Sequence, residues 1–488
     1  MSGFTNWIKR YYSCRWRLCY TCTVALTLMQ TLKVDLSMAL VCLLKTPNRT
    51  NVEVNNTTNK QHCSGSDNYS INQNFEGEFE WSDALQSNIL TGFFYGYMAT
   101  NFIGGLLADK YGAKRVLGGS ILSASILTIL YPSLSRISGY FTLVLRILTG
   151  AVSGPLFPAI QSLFGRWGPS NEISVLIGFT FAGQFLGNIL GLSTAGYLCV
   201  YGFDNGWGSI FYIFGGLSFL FSCLWFYVVY DNPDVHPTIS EEERSYINRT
   251  MISEKVVKNV PWKRLLSSPA AWAIYYSLPA YAWTESFVQV LLPLYMKEAL
   301  SINIISNGLM SSAPSFGLMV GLPLCGKFAD FVHSKKYLST RSVRILFQSF
   351  SMIISASLLI ATGFLKCNQT ILITSLLFLS GITLSFVSGG VLVNNNDIAP
   401  SYAGIIFGIA NTLASMAGSI SSLTSNALTP NGTLEEWQIV FALCAAICVS
   451  GAIIFAILAR GEIQEWARPQ EPGSCGNAGG VNINKIVR

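Results

Sequence analysis

The stretch GGLLADKYGAKR, from Gly104 to Arg115, follows an apolar run and places four charged residues within its last seven positions. A similar stretch, CGKFADFVHSKK, runs from Cys325 to Lys336. Four positions of the first stretch have counterparts in the second at a constant separation of 221 residues: Gly105 and Gly326, Asp109 and Asp330, Lys114 and Lys335, Arg115 and Lys336. A repeat at this separation in a 488-residue chain predicts two similar halves.

The composition is that of a membrane protein. Hydrophobic residues make up 51% of the chain and charged residues only 11%, against roughly 25% charged residues in soluble domains. A membrane span needs about 20 mainly apolar residues. Twelve runs are long enough, and we place them at 18–44, 84–108, 116–134, 140–165, 173–199, 208–230, 269–296, 304–332, 343–364, 370–396, 402–428 and 437–459.

We therefore predict an all-α membrane protein whose twelve transmembrane helices form two pseudo-symmetric six-helix bundles. The N-terminal bundle is expected over residues 18–230, with an extramembrane loop at 45–83, and the C-terminal bundle over residues 269–460. A polar linker at 231–268 joins them, and the terminal segments 1–17 and 461–488 flank them.

Two independent signals predict the topology. Lys and Arg clusters lie in the N-terminal segment and in the even-numbered loops, which assigns these parts and both termini to the cytoplasm. Asn-X-Ser/Thr sequons lie in the odd-numbered loops, on the other side. One further sequon, at Asn248, lies in the central linker on the predicted cytoplasmic side, and we interpret it as a chance match that is not glycosylated. The predicted glycosylation sites are Asn48, Asn55, Asn56, Asn68, Asn368 and Asn431.

Most of the twelve cysteines lie within predicted spans, where a small apolar packing residue is the simplest interpretation. Cys63 and Cys367 fall in loops on the non-cytoplasmic side, and a disulfide between them is the alternative interpretation for this pair. No metal site is predicted from this pattern.

The repeated stretch predicts that the corresponding loop has the same role in both halves. Glycine permits close approach of helices, aspartate accepts hydrogen bonds from exposed N–H groups at a helix terminus, and the basic pair anchors the cytoplasmic face. We expect a conformational latch formed by Gly105, Asp109, Lys114, Arg115, Gly326, Asp330, Lys335 and Lys336.

GLLADKYGAKR resembles the signature that the major facilitator superfamily carries between its second and third helices. KVDLSMALV (33–41), RILTGAVSGPLFPAI (146–160), NNNDIAPSYAGIIFGIANT (394–412) and EWQIVF (436–441) are similar to one family within it. That family contains sialin, the vesicular glutamate transporters and the type I sodium–phosphate cotransporters. The resemblance covers about residues 31–467 and is strongest to sialin, through DIAPSYAG (397–404) and LTPNGTLEEWQ (428–438). It implies two bundles that rock about a central site.

Two basic residues are candidates for binding an anionic substrate. Arg146 lies within span 4, where a buried basic residue costs roughly 2.5–3.5 kcal/mol on insertion scales and so needs a partner or a function. The resemblance implies that this arginine belongs to the substrate site, where its planar fork would hold a carboxylate or phosphate. Lys33 stands where the family pattern Arg-Val-Asn-Leu-Ser has its arginine, and Asp35 stands at the asparagine of that pattern.

Ser153 is a second departure, because sialin and the glutamate transporters carry a glutamate there. The chain therefore lacks the family's usual proton-linked acid, and Glu285 in span 7 is the candidate to replace it, since a carboxyl in a span is costly when ionised. Tyr281, Asn394 and Asn395 are predicted to complete the substrate-binding wall from the C-terminal half.

The sequence thus predicts a secondary active transporter, not an enzyme, for a small organic anion of the sialic acid or acidic amino acid type. We expect no cofactor, a proton (or sodium) as coupling ion, contact with membrane lipid, a monomeric state and no nucleic-acid partner. The alternatives are a sodium-coupled phosphate or urate transporter, an anion channel and a non-transporting scaffold. Residence in a lysosomal or endosomal membrane, or in the plasma membrane, follows from the resemblance alone.

Overall fold

The structure, a computed structural model, describes residues 11–43, 78–250, 260–292, 295–296, 299–300, 304–365 and 369–467. Each predicted span coincides with helix in these ranges. The long helices are α1 Cys14–Leu43, α2 Asp83–Tyr111, α3 Ala113–Ser135, α4 Gly139–Trp167, α5 Ile173–Tyr201, α6 Trp207–Val228, α7 Pro269–Ser286, α8 Ile304–Ser334, α9 Thr340–Gly363, α10 Thr370–Ile398, α11 Ala403–Leu428 and α12 Leu434–Leu458.

By length and hydropathy, nine helices of the described part could cross a membrane. The other three long helices, α1, α2 and α7, fall outside this criterion, and each contributes side chains to the central cavity described below. The all-helical membrane fold is confirmed, and the count of twelve spans stays a prediction for these three helices.

The helix termini follow local capping chemistry. The hydroxyl groups of Ser82, Ser138 and Ser339 accept hydrogen bonds from the first-turn N–H groups of α2, α4 and α9. Thr433 and Glu436 form a reciprocal capping box at the start of α12. Asn431, one of the predicted glycosylation sites, is exposed beside this cap.

Three of the long helices are interrupted: α4, α7 and, at Ser385–Gly389, α10. α4 breaks between Ser153 and Leu156, at Pro155, which removes a backbone donor from the helix. α7 passes into a π-helical turn at Phe287–Leu291, which begins two residues after Glu285. Single π turns within helices are frequent at functional sites.

The two halves meet mainly through two helix pairs. α5 packs against α8, and α2 packs against α11. We use "latch face" for the end of the molecule at which the α2–α3 and α8–α9 loops lie, and "open face" for the opposite end.

A disulfide joins Cys42 at the end of α1 to Cys199 at the end of α5, with 6.0 Å between the Cα atoms, on the open face. Cys42 and Cys199 both lie within predicted spans, where cysteines are interpreted from the sequence as packing residues. For these two cysteines that interpretation is wrong. The sequence could not reveal this pairing, because the two cysteines are 157 positions apart in the chain. Cys63, Cys367 and the sequons at 48, 55, 56, 68 and 368 lie outside the described residues.

An ion cluster next to the disulfide ties three connections of the open face together. Arg136, between α3 and α4, contacts Glu78 at 2.9 Å and Asp204 at 2.7 Å. Burial by itself would raise the pKa of Glu78, but hydrogen bonds from Arg136, Asn205 and Trp207 outweigh it and hold this pKa below its usual value. The backbone N–H groups of Glu78 and Phe79 also donate to the carbonyl of Leu43.

Candidate substrate cavity

A cavity of about 620 Å³ lies between the two halves. Its walls come from α1, α2, α4 and α5 of the first half and from α7, α8, α10 and α11 of the second half. Toward the open face it extends along Thr91 and Tyr95 of α2 and along Ser422 of α11. Toward the latch face it ends on an apolar layer formed by Leu156, Phe157, Phe181, Leu322, Leu392 and Phe407. Its volume lies within the range typical of small-molecule sites, about 300–1,000 Å³.

Lys33 brings a positive charge to this cavity from α1. Its ammonium group lies over the rings of Phe93 at 5.6 Å and Phe94 at 5.3 Å, which are cation–π distances. Within the described part of the chain, its nitrogen takes part in no hydrogen bond and in no ion pair within 4.0 Å. As far as the described residues go, the three donors of Lys33 are available to bind a substrate oxygen.

Glu285 brings a negative charge to the same cavity from α7. Its Oε1 accepts hydrogen bonds from Gln289, one helical turn on, at 2.9 Å and from Gln184 of α5 at 3.3 Å. The other oxygen, Oε2, has no partner among the described residues. Lys33 and Glu285 are the only charged residues among the described residues that line the cavity.

Aromatic and polar side chains complete the cavity wall. Asn411 of α11 donates a hydrogen bond to the hydroxyl of Tyr97 of α2 at 2.8 Å, which joins the two halves. Tyr281 lines the cavity, as the sequence predicts. Ser153 also lines it, but its hydroxyl donates to the carbonyl of Thr149.

Arg146 lies behind the cavity and not in its lining. Only 2% of its surface is exposed, and its guanidinium donates to the carbonyls of Lys33 at 2.7 Å and Leu32 at 3.5 Å. Its nearest carboxylate oxygen, Oδ1 of Asp35, is 3.8 Å away. Within the described ranges, Nε of Arg146 and Oδ2 of Asp35 are buried without a hydrogen-bond partner. In this conformation the guanidinium of Arg146 therefore binds groups of α1. That Arg146 binds the anionic substrate stays a prediction, for another conformation.

Asn394 and Asn395 do not reach the cavity, contrary to the sequence-based expectation. Both are fully buried nearer the latch face, where Asn394 donates to the carbonyl of Arg460 at 2.8 Å. Asn395 donates to Gln161 of α4, and Gln161 in turn donates to the carbonyl of Leu392. The reason for the difference is the break in α10 at Ser385–Gly389, after which the asparagines lie on a separate short helical segment.

The second copy of the repeated stretch links the two halves directly. Both carboxylate oxygens of Asp330 accept N–H groups at the start of α5, from Ser174 at 3.1 Å and Val175 at 2.7 Å. This is the predicted interaction of aspartate with a helix terminus. A Cβ atom at Gly326 would overlap the carbonyl of Ser174, so the absence of a side chain permits the approach of α8 to α5.

The first copy makes different contacts. Gly105 lies against the backbone of Gly404 and Ile405 in α11, across the two halves. Asp109 accepts a hydrogen bond from Ser162 at 2.6 Å and lies 3.8 Å from Arg166, both in α4 of its own half. Of the two aspartates of the repeat, Asp330 connects the halves here and Asp109 does not, and the role of the repeat as a latch stays a prediction.

Among the described residues, no side-chain hydrogen bond or ion pair joins the basic residues of the latch to the other half in this conformation. Lys114 lies over the ring of Tyr230 at 4.4 Å, and Lys335 lies near Phe331 at 5.7 Å. Arg115 and Lys336 are exposed. Their predicted part in holding the latch closed is accordingly not seen in these contacts.

A buried ion pair reinforces the same face, and sequence reasoning missed it. Arg344 of α9 is fully buried and contacts both oxygens of Asp397, at 2.6 and 3.2 Å. It also donates to Ser174 of α5 and to the carbonyl of Gly389. The sequence gives little indication of this pair. Its two residues lie near the ends of different helices, where charged side chains normally reach solvent.

A cavity between two helical halves, closed at one end and accessible from the other, defines a membrane transporter of the alternating-access class. The model of the Major Facilitator Superfamily matches residues 63–422, and the chain belongs to this family.

Similar proteins agree with this assignment. The chain is 37% identical to human sialin over 457 residues, which is 93% of this chain and 91% of sialin. It is 33% identical to vesicular glutamate transporter 1 of Bos taurus over 412 residues, 83% of this chain and 73% of that protein. A solved proton:xylose symporter shares the fold, with a TM-score of 0.65, 13% identity, and coverage of 92% of this chain and 97% of the symporter.

Proposed function

We propose that this protein is a proton-coupled secondary active transporter of small organic anions, of the sialic acid or acidic amino acid type. The observation that carries the proposal is the free ammonium group of Lys33 in a central cavity whose latch end is closed. A desolvated cation with unused donors in such a cavity binds a carboxylate strongly, because charge-assisted hydrogen bonds exceed neutral ones in strength. The names of the relatives, sialin and vesicular glutamate transporter, support the same substrate class.

Transport follows from two packings of the same halves. In the conformation described here, Asp330, Gly326 and Gly105 hold the latch face closed and the cavity is accessible from the open face. Release of these contacts and closure of the open face would expose the same cavity to the latch side. We assign the latch face to the cytoplasm, because the loops there carry the Lys and Arg clusters. The open face would then meet an organelle lumen or the outside, and its sequons would be glycosylated.

Glu285 is proposed to carry the coupling proton. An ionised carboxyl is costly at membrane depth, so its charge must be neutralised by a proton or by a cation as the protein changes conformation. One of its oxygens is held by two amide groups and the other faces the cavity, from which a proton can reach it. Asp35 is a second buried carboxylate, but it lies beside Arg146 and not in the cavity lining.

Reconstitution tests this function. Purified protein in liposomes is offered labelled sialic acid, glutamate, aspartate, phosphate and urate, with a proton gradient or a sodium gradient imposed separately. We expect saturable uptake of an organic anion that depends on the proton gradient and ends when the gradient collapses. Uptake driven by sodium, with phosphate or urate as substrate, would replace the proposal by the alternative within the family. Non-saturable anion flux that ignores both gradients would indicate a channel.

A further inference from the structure

We propose that the preferred substrate is a zwitterion, a small molecule whose carboxylate binds Lys33 while its ammonium group binds Glu285. This proposal rests on the proposed transport function and narrows its substrate class. The observation behind it is that two opposite charges line one cavity, from opposite halves of the molecule, and both retain unused hydrogen-bonding capacity.

The two charged groups do not satisfy each other. No nitrogen–oxygen distance within 4.0 Å joins Lys33 to Glu285, although both side chains are described and near enough to interact electrostatically. Water can reach both groups while the cavity is open, but closure of the site around a substrate would remove that water, and an ammonium group without an anion or a carboxylate oxygen without a donor would then be costly. A zwitterion is the class of small molecule that can satisfy both groups at once.

The charge balance of the cavity favours the same class. The described lining residues carry one positive and one negative side chain, so their formal charge sums to zero. Arg146, which would make the site net positive, is turned toward two backbone carbonyls and Asp35. A plain carboxylate in this cavity would meet the repulsion of Glu285 as well as the attraction of Lys33. A molecule that carries an ammonium group turns that repulsion into attraction.

The surrounding side chains suit an ammonium group at Glu285. Gln289 and Gln184 both donate to Oε1, which fixes the carboxylate and leaves Oε2 facing the cavity. Tyr281, on the same helix, and Tyr97, on α2, lie close to Glu285 in the lining. Aromatic faces and a carboxylate together form a favourable environment for a substrate cation.

In this arrangement Glu285 binds both the coupling proton and the substrate. Its carboxylate can hold either a proton or the substrate's ammonium group, so binding a zwitterion expels the proton into the cavity water. The titratable or charged groups near Glu285 are Lys33 from α1, Tyr97 from α2 and Tyr281 from α7. Proton and zwitterion would accordingly bind in competition.

Matched pairs of ligands test the proposal on the intact wild-type protein. Thermal stabilisation of the purified protein is titrated with alanine against propionate, 4-aminobutyrate against butyrate, and glutamate against glutarate. Because a hydrogen bond to a charged group contributes about 1.5–3 kcal/mol, the aminated member of at least one pair should bind about tenfold or more tightly than its amine-free partner. The pair with the largest ratio reports the spacing of the two charges.

Substitutions test whether Glu285 causes the preference for the aminated ligand. Glu285→Gln should remove the preference for the aminated ligand, because the aminated ligand loses its carboxylate partner and the amine-free ligand, no longer repelled, binds at least as tightly as to wild type. Glu435→Gln, an exposed change at the start of α12, should behave as wild type. Amine-free acids that bind wild type as tightly as their aminated partners would overturn this proposal while leaving anion transport intact. Failure of both series to bind, together with no uptake of any anion in liposomes, would overturn the proposed function itself.

Discussion

Lys33 of α1 and Glu285 of α7 face one cavity from the two halves of the molecule without forming an ion pair. A buried ion pair between them would have been a structural brace, and removal of either partner would leave an uncompensated charge at a cost of about 3–5 kcal/mol. Their separation leaves both groups available for ligands and protons.

Glu285→Gln should therefore fold and reach the membrane at a normal level. We expect it to lose accumulation driven by a pH gradient but to retain exchange at saturating substrate, because its neutral amide cannot release a proton while the cavity stays intact. Parallel measurements of accumulation and exchange in liposomes separate the two effects. Unchanged accumulation at normal protein level would move the coupling proton to another group and favour sodium coupling.

Asp330→Asn should slow transport more than Asp109→Asn does. Asp330 accepts two N–H groups from the other half, whereas Asp109 contacts Ser162 and Arg166 in its own half. Loss of charge at Asp330 weakens the closed latch and shifts the balance of conformations without touching the substrate. The maximal rate should therefore fall severalfold while the apparent affinity changes little. Equal effects of the two substitutions, or a selective loss of affinity, would contradict the assignment.

Arg146 and Asp35 should be coupled energetically although they are 3.8 Å apart. Arg146→Gln and Asp35→Asn each leave one buried charge without its partner, so each should destabilise the protein by about 3–5 kcal/mol. The double variant should be less destabilised than the sum of the single variants, since neither charge remains. Unfolding followed by intrinsic fluorescence measures this cycle. Additive effects would show that the two residues act independently.

The contribution of the Glu78–Arg136–Asp204 cluster to the stability of the folded protein should persist in mildly acidic solution. Because the pKa of Glu78 is lowered in the folded protein, its contribution to stability is present above the unfolded value, about 4.3, and is lost as the pH falls through the folded value. The difference in melting temperature between wild type and Glu78→Gln should stay constant from about pH 7 to pH 5 and shrink only below about pH 4. A difference that disappears by pH 5.5 would contradict this.

The fold could be predicted from sequence because its determinants are local or repeated. Apolar runs locate the helices, and the repeated stretch around Asp109 and Asp330 locates the latch and indicates two halves. Contacts between distant segments could not be predicted in this way. The disulfide of Cys42 with Cys199 depends on which helix ends meet in three dimensions.

The site was predicted in part for the same reason. Lys33, Tyr281 and Glu285 reach the cavity, but Arg146 turns behind α1 and Asn395 lies in the latch layer. A helix sequence shows that a polar residue needs a partner without showing which neighbour supplies it. Gln289, one turn from Glu285, was the one missed contact that spacing could have indicated. Gln184, on another helix, could not be found this way.

The affinity of the purified protein for a transported anion, compared between wild type, Lys33→Arg and Lys33→Gln, tests the central claim most directly. Each variant is matched in expression to wild type, and Glu435→Gln serves as the control outside the cavity. The account predicts that Lys33→Gln weakens binding about tenfold or more, because a charged hydrogen-bond donor to the carboxylate is lost, whereas Lys33→Arg keeps the charge and binds within a few-fold of wild type. Wild-type affinity in a folded Lys33→Gln protein would contradict the claim that this cavity binds the anion through Lys33.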